Sequence, residues 1–257
     1  MSEVSSFFQG TPCWIDVVAT DRDSAMVFYG GLFGWDFEVG QADTGFYTIA
    51  KVRGLPVAGI GQAPADTPVP PPAWATYFAT DDADVTAARI TEAGGTVYMG
   101  PMDVMNAGRL LVAGDPMGSI FGCWQPGDHL GCYVVNEPGT LCWTELTTPD
   151  AKTAKTFYPA VFGHGLNDMS GADYEYTTLL VHGGDVAGIL AMDDSWPADM
   201  PSHWSTYFGV ADTDVAVATA AGLGGQVVQQ PFDSAYGRIA VLRDPVGATF
   251  SVISLVL

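Results

Sequence analysis

The chain repeats itself. Residues 13–34 and 142–163 are two copies of one segment, offset by 142 − 13 = 129 positions. Cys13-Trp14-x-Asp16 recurs as Cys142-Trp143-x-Glu145. Asp21, Ala25, Phe28, Tyr29, Phe33 and Gly34 recur as Asp150, Ala154, Phe157, Tyr158, Phe162 and Gly163. The register continues: Val57-Ala58-Gly59-Ile60 answers Val186-Ala187-Gly188-Ile189, and Trp74-x-Thr76-Tyr77-Phe78 answers Trp204-x-Thr206-Tyr207-Phe208. Gly94-Gly95, Gly108-Arg109 and Asp115-Pro116-x-Gly118 return as Gly224-Gly225, Gly237-Arg238 and Asp244-Pro245-x-Gly247. The offset is 129 at both ends and 130 from Trp74 to Gly95, and self-similarity at so steady a spacing is the mark of a duplicated structural unit. The chain therefore divides into a first domain over 11–125, a linker over 126–139 and a second domain over 140–257, each long enough to bury a core of its own.

Each domain is in turn a pair of similar modules. In the first, an apolar strand ends at Thr20-Asp21, and Asp21 is placed to cap a helix over 22–33. The spacing of Ala25, Phe28, Tyr29, Leu32 and Phe33 predicts that helix, and Gly34 stops it. Strands follow over 35–62. After the Pro-rich break Pro64–Pro72 the order restarts, with a strand over 73–80, a helix over 82–93 ended by Gly94-Gly95, and three more strands. The chain thus holds four βαβββ modules, an α+β fold in which each pair of modules forms one cup-shaped mixed sheet. Pro64–Pro72 and its counterpart Asp194–His203 are expected as stiff loops near the mouths of the cups.

Charge and composition exclude several classes of partner. Nine Lys and Arg against 29 Asp and Glu leave a net charge of −20, which repels nucleic-acid phosphates and anionic membrane surfaces. No apolar run is long enough to span a bilayer, and the N-terminus has no signal-peptide pattern. Cys13, Cys123, Cys132 and Cys142 show no CxxC spacing, and a reduced, cytoplasmic protein is expected. A monomer or homodimer acting on a small molecule fits these limits. All four His, at 129, 164, 182 and 203, lie after residue 125, so an imidazole site in the first domain would have to borrow its ligand.

The strand, Asp, Phe-Tyr helix and Phe-Gly-Trp order (Phe28-Tyr29 to Phe33-Gly34-Trp35), followed by Gly94-Gly95 and Asp115-Pro116-x-Gly118, resembles the vicinal oxygen chelate superfamily. That group contains glyoxalases, bleomycin-resistance proteins and extradiol dioxygenases. Nearly the whole chain is covered, and the tandem arrangement looks most like two-domain actinobacterial members, some of which sit in antibiotic pathways. The fold hosts several chemistries, so the site must decide the function.

In metal-dependent members of such a family, His, His and Glu come from the first and last strands of the modules. The resemblance places those positions on Trp14, Ala75 and Gly122 in the first domain and on Trp143, Ser205 and Ser251 in the second. None is a good ligand, so no metal and no other cofactor is expected. Strand alternation then carries Asp16, Tyr77 and Trp124 into the first cup, and Glu145, His203 and Tyr207 into the second. Trp14, Tyr77, Trp124, Trp143, Ser205 and Ser251 are expected to bind substrate, with Glu145, His203, Tyr207 and Asp16 as the candidate catalytic groups. The alternatives are that the Trp pair merely plugs an empty metal site, and that the carboxylates are satisfied by Arg109, Arg238 or Tyr hydroxyls.

Aromatic walls around a carboxylate suit a flat, partly apolar ligand. The expectation is a metal-independent tailoring enzyme acting on an aromatic polyketide-like compound by acid–base cyclisation, aldol-type chemistry or dehydration. Sequestration of an aromatic drug without turnover is the first alternative, and a metal-dependent glyoxalase- or dioxygenase-like enzyme the second. The second cup is expected to be the active one, because Glu145, His203, Ser205 and Tyr207 stand where the first has Asp16, Ala73, Ala75 and Tyr77.

Overall fold

A computed structural model describes residues 3–64 and 72–255. The first half builds β1 (Pro12–Ala19), α1 (Arg22–Phe33), β2 (Asp36–Val39), β3 (Thr48–Val52), β4 (Leu55–Gln62), β5 (Trp74–Ala79), α2 (Ala83–Glu92), β6 (Thr96–Val104), β7 (Gly108–Gly114) and β8 (Ile120–Pro126). The second half repeats this order: β9 (Leu141–Thr148), α3 (Ala151–Phe162), β10 (Gly165–Asp168), β11 (Tyr176–Val181), β12 (Gly184–Ala191), β13 (His203–Gly209), α4 (Thr213–Gly222), β14 (Gln226–Ser234), β15 (Gly237–Arg243) and β16 (Thr249–Leu255). Among the described residues no helix is long and apolar enough to cross a membrane.

Each half forms one eight-stranded mixed sheet, in the orders β2-β3-β4-β1-β5-β8-β7-β6 and β10-β11-β12-β9-β13-β16-β15-β14. The four βαβββ modules are thus present, joined pairwise where β1 meets β5 and β9 meets β13. Helix ends follow the sequence closely. The Asp21 side chain accepts from Ser24 N, and Gly34 closes α1 at φ 69°, a left-handed conformation that costs glycine little. Asp150 and Gly163 do the same for α3. Most of Pro64–Pro72 lies outside the described residues. Its counterpart is irregular as far as Ser202, with β13 beginning at His203.

The cores depart from the expectation that each half buries its own. One core joins α1, β1 and β4 to Phe208, Ala216, Ala220, Leu242 and Phe250 of the second half. The other joins Phe78, Ile90, Leu111 and Phe121 to α3, Leu179 and Ile189. Modules one and two therefore share a sheet, but module one shares its core with module four, and module two with module three. The reason lies in the amphipathic layers: a sheet with a cup on one face needs its other face covered, and the repeat supplies identical covers to both halves.

The same arrangement explains the repeated motifs. Tyr29 donates to Asp244 Oδ2 at 2.9 Å and accepts from Trp74 Nε1 at 2.9 Å. Tyr158 donates to Asp115 Oδ2 at 3.1 Å and accepts from Trp204 Nε1 at 2.9 Å. Each aspartate also holds its own Asp-Pro-x-Gly turn, Asp115 Oδ1 accepting from Met117 and Ser119, and Asp244 Oδ1 from Val246 and Ala248. The helix Tyr, the strand Trp and the turn Asp that carry the family resemblance are thus two buried clamps between the halves. Leaving such a carboxylate unpaired would cost about 1–3 kcal/mol or more.

Candidate functional site

At the centre of the first sheet, Trp14 on β1 lies opposite Tyr77 on β5, Asp16 opposite Ala75, and Tyr77 beside Gly122 on β8. The second sheet repeats this, with Trp143 opposite Tyr207, Glu145 opposite Ser205 and Tyr207 beside Ser251. Paired residues share a face, so every one of these side chains belongs to its cup. The two cups belong to different sheets, so the ten singled-out residues form two clusters and not one site.

The first cluster is tightly closed. Tyr77 O–H reaches both oxygens of Asp16 at 3.1 Å, and Tyr47 O–H reaches Oδ2 at 2.9 Å. Trp14 Nε1–H donates to the Tyr47 oxygen at 3.0 Å. Tyr47, immediately before β3, is not among the residues that the sequence singles out. Its hydroxyl crosses β4 at Gly59, where any Cβ would stand 1.8 Å from it. Tyr176 and Gly188 repeat the device in the second half, and there a Cβ would stand 2.0 Å from the hydroxyl. Both residues recur at the 129 offset (47 and 176, 59 and 188), so the signal was present in the repeat.

In the second cluster Trp143 Nε1 donates to Tyr176 Oη at 3.0 Å, and Tyr207 O–H donates to Glu145 Oε1 at 2.9 Å. Tyr hydroxyls, not arginines, satisfy both carboxylates. Arg109 pairs with Asp84 and Asp103, and Arg238 with Asp214 and Asp233. His203 sits opposite Thr147, two pairs beyond Ser205–Glu145, and its Nδ1 lies 2.8 Å from Pro201 O. It shares the cup face without touching Glu145. Tyr236, at the tip of the β14–β15 hairpin, lies close enough to Tyr176 to add to the rise in that phenol's pKa.

Burial sets the charges. It pushes Asp16 up to about 6 against the pull of Tyr47 and Tyr77, and it raises Glu145 against Tyr176 and Tyr207. Burial, with the neighbouring carboxylate adding to it, raises Tyr47, Tyr77, Tyr176 and Tyr207, so the phenols stay protonated donors. Each cluster is therefore a carboxylate of raised basicity held between fixed O–H donors.

The cups differ in access. Trp14, Asp16, Tyr77 and Trp124 are all at most 9% exposed, whereas Trp143, Glu145, Tyr176, Ser205 and Tyr207 are each partly exposed. The segment after β8 makes the difference. It runs back across the first cup, where the His129 ring stands edge-on to Trp14 at 4.6 Å, and Trp124 Nε1 donates to His129 O at 2.8 Å. Cys132, fully buried, packs with Cys13, Trp14 and Trp124. The connection expected between domains is thus also the first cup's cover, and it supplies the one imidazole that the first half lacks. All four cysteines are free thiols.

The closed cup yields a direct test of these electrostatics. A folded-state pKa of about 6 against an ordinary 3.8 means that the native protein holds this proton more firmly than the unfolded chain. The resulting penalty is absent below about pH 4, grows as pH rises to about 6 and is complete above it, at about 3 kcal/mol. Asp16→Asn carries no such penalty. Its melting temperature relative to wild type should therefore move in the variant's favour between pH 4 and pH 7, followed by circular dichroism. A difference constant across that range would contradict the raised pKa.

A His-His-Glu metal set does not fit this chain. The six positions carry two indoles, an alanine, a glycine and two serine hydroxyls, and among the described residues no three His, Cys, Asp or Glu side chains come together as a metal site. His129 and Asp16 share the first cup, with the indoles of Trp14 and Trp124 and the phenols of Tyr47 and Tyr77 as neighbours.

Comparison with known proteins agrees with the geometry. The profile of the glyoxalase/bleomycin resistance protein/dioxygenase superfamily matches residues 13–121, and that of the glyoxalase-like domain matches 143–253. Over 258 residues the chain is 40% identical to CFP32 of Mycobacterium tuberculosis, whose name assigns it provisionally to the glyoxylases, with 98% of each chain covered. It is 37% identical over 267 residues to the anthracycline biosynthesis protein DnrV of Streptomyces peucetius, covering 98% of this chain and 96% of that one. Among solved structures, the Mn(II)-bound glyoxalase from Novosphingobium aromaticivorans superposes with a TM-score of 0.67 at 17% identity, over 96% of this chain and 83% of that one. The 2,3-dioxygenase LapB from Pseudomonas sp. gives 0.67 at 14% identity, over 96% and 93%. These two show a shared fold. The chain belongs to the vicinal oxygen chelate (glyoxalase/bleomycin resistance protein/dioxygenase) superfamily, with one such domain in each half.

Proposed function

We propose that the second cup binds a flat aromatic ketone of the polyketide type and catalyses proton transfer on it, as a tailoring step of natural-product biosynthesis. The observation that carries this reading is Glu145: a partly exposed carboxylate of raised basicity, walled by Trp143 and flanked by the Tyr207 and Tyr176 phenols. Similarity to proteins named for anthracycline biosynthesis supports the substrate class.

In this reading the substrate lies against Trp143 with its carbonyl toward the phenols. Glu145 takes a proton from the carbon next to that carbonyl, and the electron pair moves onto the carbonyl oxygen. As Glu145 takes the proton and loses its charge, the single O–H of Tyr207 and of Tyr176 turns from it to the enolate oxygen, and protonated Glu145 then returns the proton or delivers it to a leaving hydroxyl. Ser251, which hydrogen-bonds Tyr207, and Ser205 keep the donors oriented, and His203 faces the outer part of the cup. The reaction needs no metal, in keeping with a donor set that does not suit one.

Solvent exchange separates this from sequestration. In D2O the purified protein should speed deuterium uptake at the carbon next to the carbonyl of a hydroxylated aromatic polyketone, read by NMR. Tight stoichiometric binding without exchange would identify a drug-binding protein instead. About one equivalent of Fe, Zn, Mn or Ni per chain by elemental analysis, with exchange lost to a chelator, would overturn the metal-free reading.

A further inference from the structure

The two repeats differ most where the first cup is covered, and that difference outlines a second subsite. In the first half, β1 and β4 part at one end, and the irregular segment 131–134 fills the split. Cys132 N donates to Cys13 O at 2.7 Å, Tyr133 N to Pro56 O at 2.8 Å, and Cys132 Sγ contacts Val57 O at 3.1 Å. The β6–β7 hairpin pins the approach, with Gly127 N and His129 N donating to Ala107 O and Asp128 N to Asn106 O. Behind this segment the His129 ring stands edge-on to Trp14. The first cup thus holds a planar ring at its wall, attached to a chain of hydrogen-bond donors that leaves through the split.

Adding the repeat offset of 129 carries Cys13, Trp14, Pro56 and Val57 onto Cys142, Trp143, Asp185 and Val186. Those four residues line a cavity of about 300 Å³, completed by Asn136, Phe7 and their neighbours. The slot that is filled in the first repeat is open in the second, and it runs to the Trp143 wall. Among the described residues, no turn or loop N–H reaches the carbonyls of Cys142 and Asp185. No lysine or arginine lines the cavity, whereas Asp185 adds an exposed carboxylate held by the Thr178 hydroxyl.

We propose that this slot between β9 and β12 is a ligand subsite that takes a hydrogen-bond-donating arm, cationic or uncharged, of the molecule whose aromatic part lies in the second cup. The proposal rests on the aromatic-ligand reading above. The first repeat shows the geometry from within the molecule: ring on tryptophan, donors on the two carbonyls. A carboxylate arm has no partner there and meets Asp185. An amine gains charge-assisted bonds, a class contributing about 1.5–3 kcal/mol each, which is tenfold or more in affinity.

Three probes test it: 1,4-dihydroxyanthraquinone, and the same ring system carrying an aminoethyl or a carboxyethyl arm. Their dissociation constants are read by tryptophan quenching at high salt, which screens the protein's overall negative field. The amine probe should bind about tenfold more tightly than the parent, and the carboxylate probe no more tightly. Asp185→Asn should reduce the amine advantage, and Val186→Trp, which fills the slot, should abolish it; both should leave parent binding intact. Asp185 is exposed, so its substitution reports even where the larger one disturbs the fold. Parent binding with no amine advantage, or an advantage that survives both substitutions, would overturn the subsite alone. Failure of all three probes to bind would overturn the aromatic cup, and the subsite with it.

Discussion

Glu145→Gln should lower turnover by roughly 10²–10⁴-fold while leaving ligand affinity nearly unchanged. The amide keeps the shape of the carboxylate and can still accept from Tyr207, so the ring remains on Trp143 and only the base is lost. The pH profile sharpens the test. Because burial raises the Glu145 pKa, the wild-type rate should climb as pH rises through that raised value and then level off. In Glu145→Gln that limb should vanish. Asp16→Asn, in the covered cup, should leave the rate and the limb in place. If Asp16→Asn abolished turnover in a folded protein and Glu145→Gln did not, the active cup would be the first.

Separating the halves should have an equally large effect, on folding. A chain of residues 11–125 carries its complete sheet but loses Phe208, Leu242 and Phe250 from one core and α3 from the other. Tyr29 also loses Asp244, and Asp115 loses Tyr158. Burial of a single large aromatic side chain contributes about 1.5–3 kcal/mol, and a whole domain's net stability is only about 5–15 kcal/mol. Neither half alone should show a cooperative thermal transition, whereas a mixture of 11–140 and 141–257 should regain one. Independent two-state melting of a half would contradict the shared cores.

Sequence patterns reached far into the fold and stopped at its pairing. Asp21 and Gly34 marked both ends of α1, because caps and left-handed glycines act within a few residues of the position they control. The 129 offset exposed the two halves, the restarting strand–helix–strands order exposed the modules, and strand alternation put Trp143, Glu145, Ser205 and Tyr207 on one cup face. It did not show which module covers which core. The apolar face of α1 suits either sheet, and only three-dimensional closure brings it to the fourth module. Tyr47 and Tyr176 lie away from the first and last strands that carry the family's ligand positions, and their only mark in the sequence is the identical Tyr and Gly pairs at the same offset. Residues 126–139 have the Gly and Pro content of a connection. Their second role depends on the apolar run 130–135, in which Cys132 and Val134 are fully buried.

The most direct measurement is a crystal structure of the protein with an aromatic polyketone bound. The ligand ring should lie against Trp143 with its carbonyl facing Tyr207 and Tyr176 and the acidic carbon within reach of Glu145. Residues 127–134 should still cover the first cup, with His129 on Trp14. A ligand seated on Trp14 beside Asp16, with that segment displaced, would contradict the assignment of the second cup as the site of chemistry.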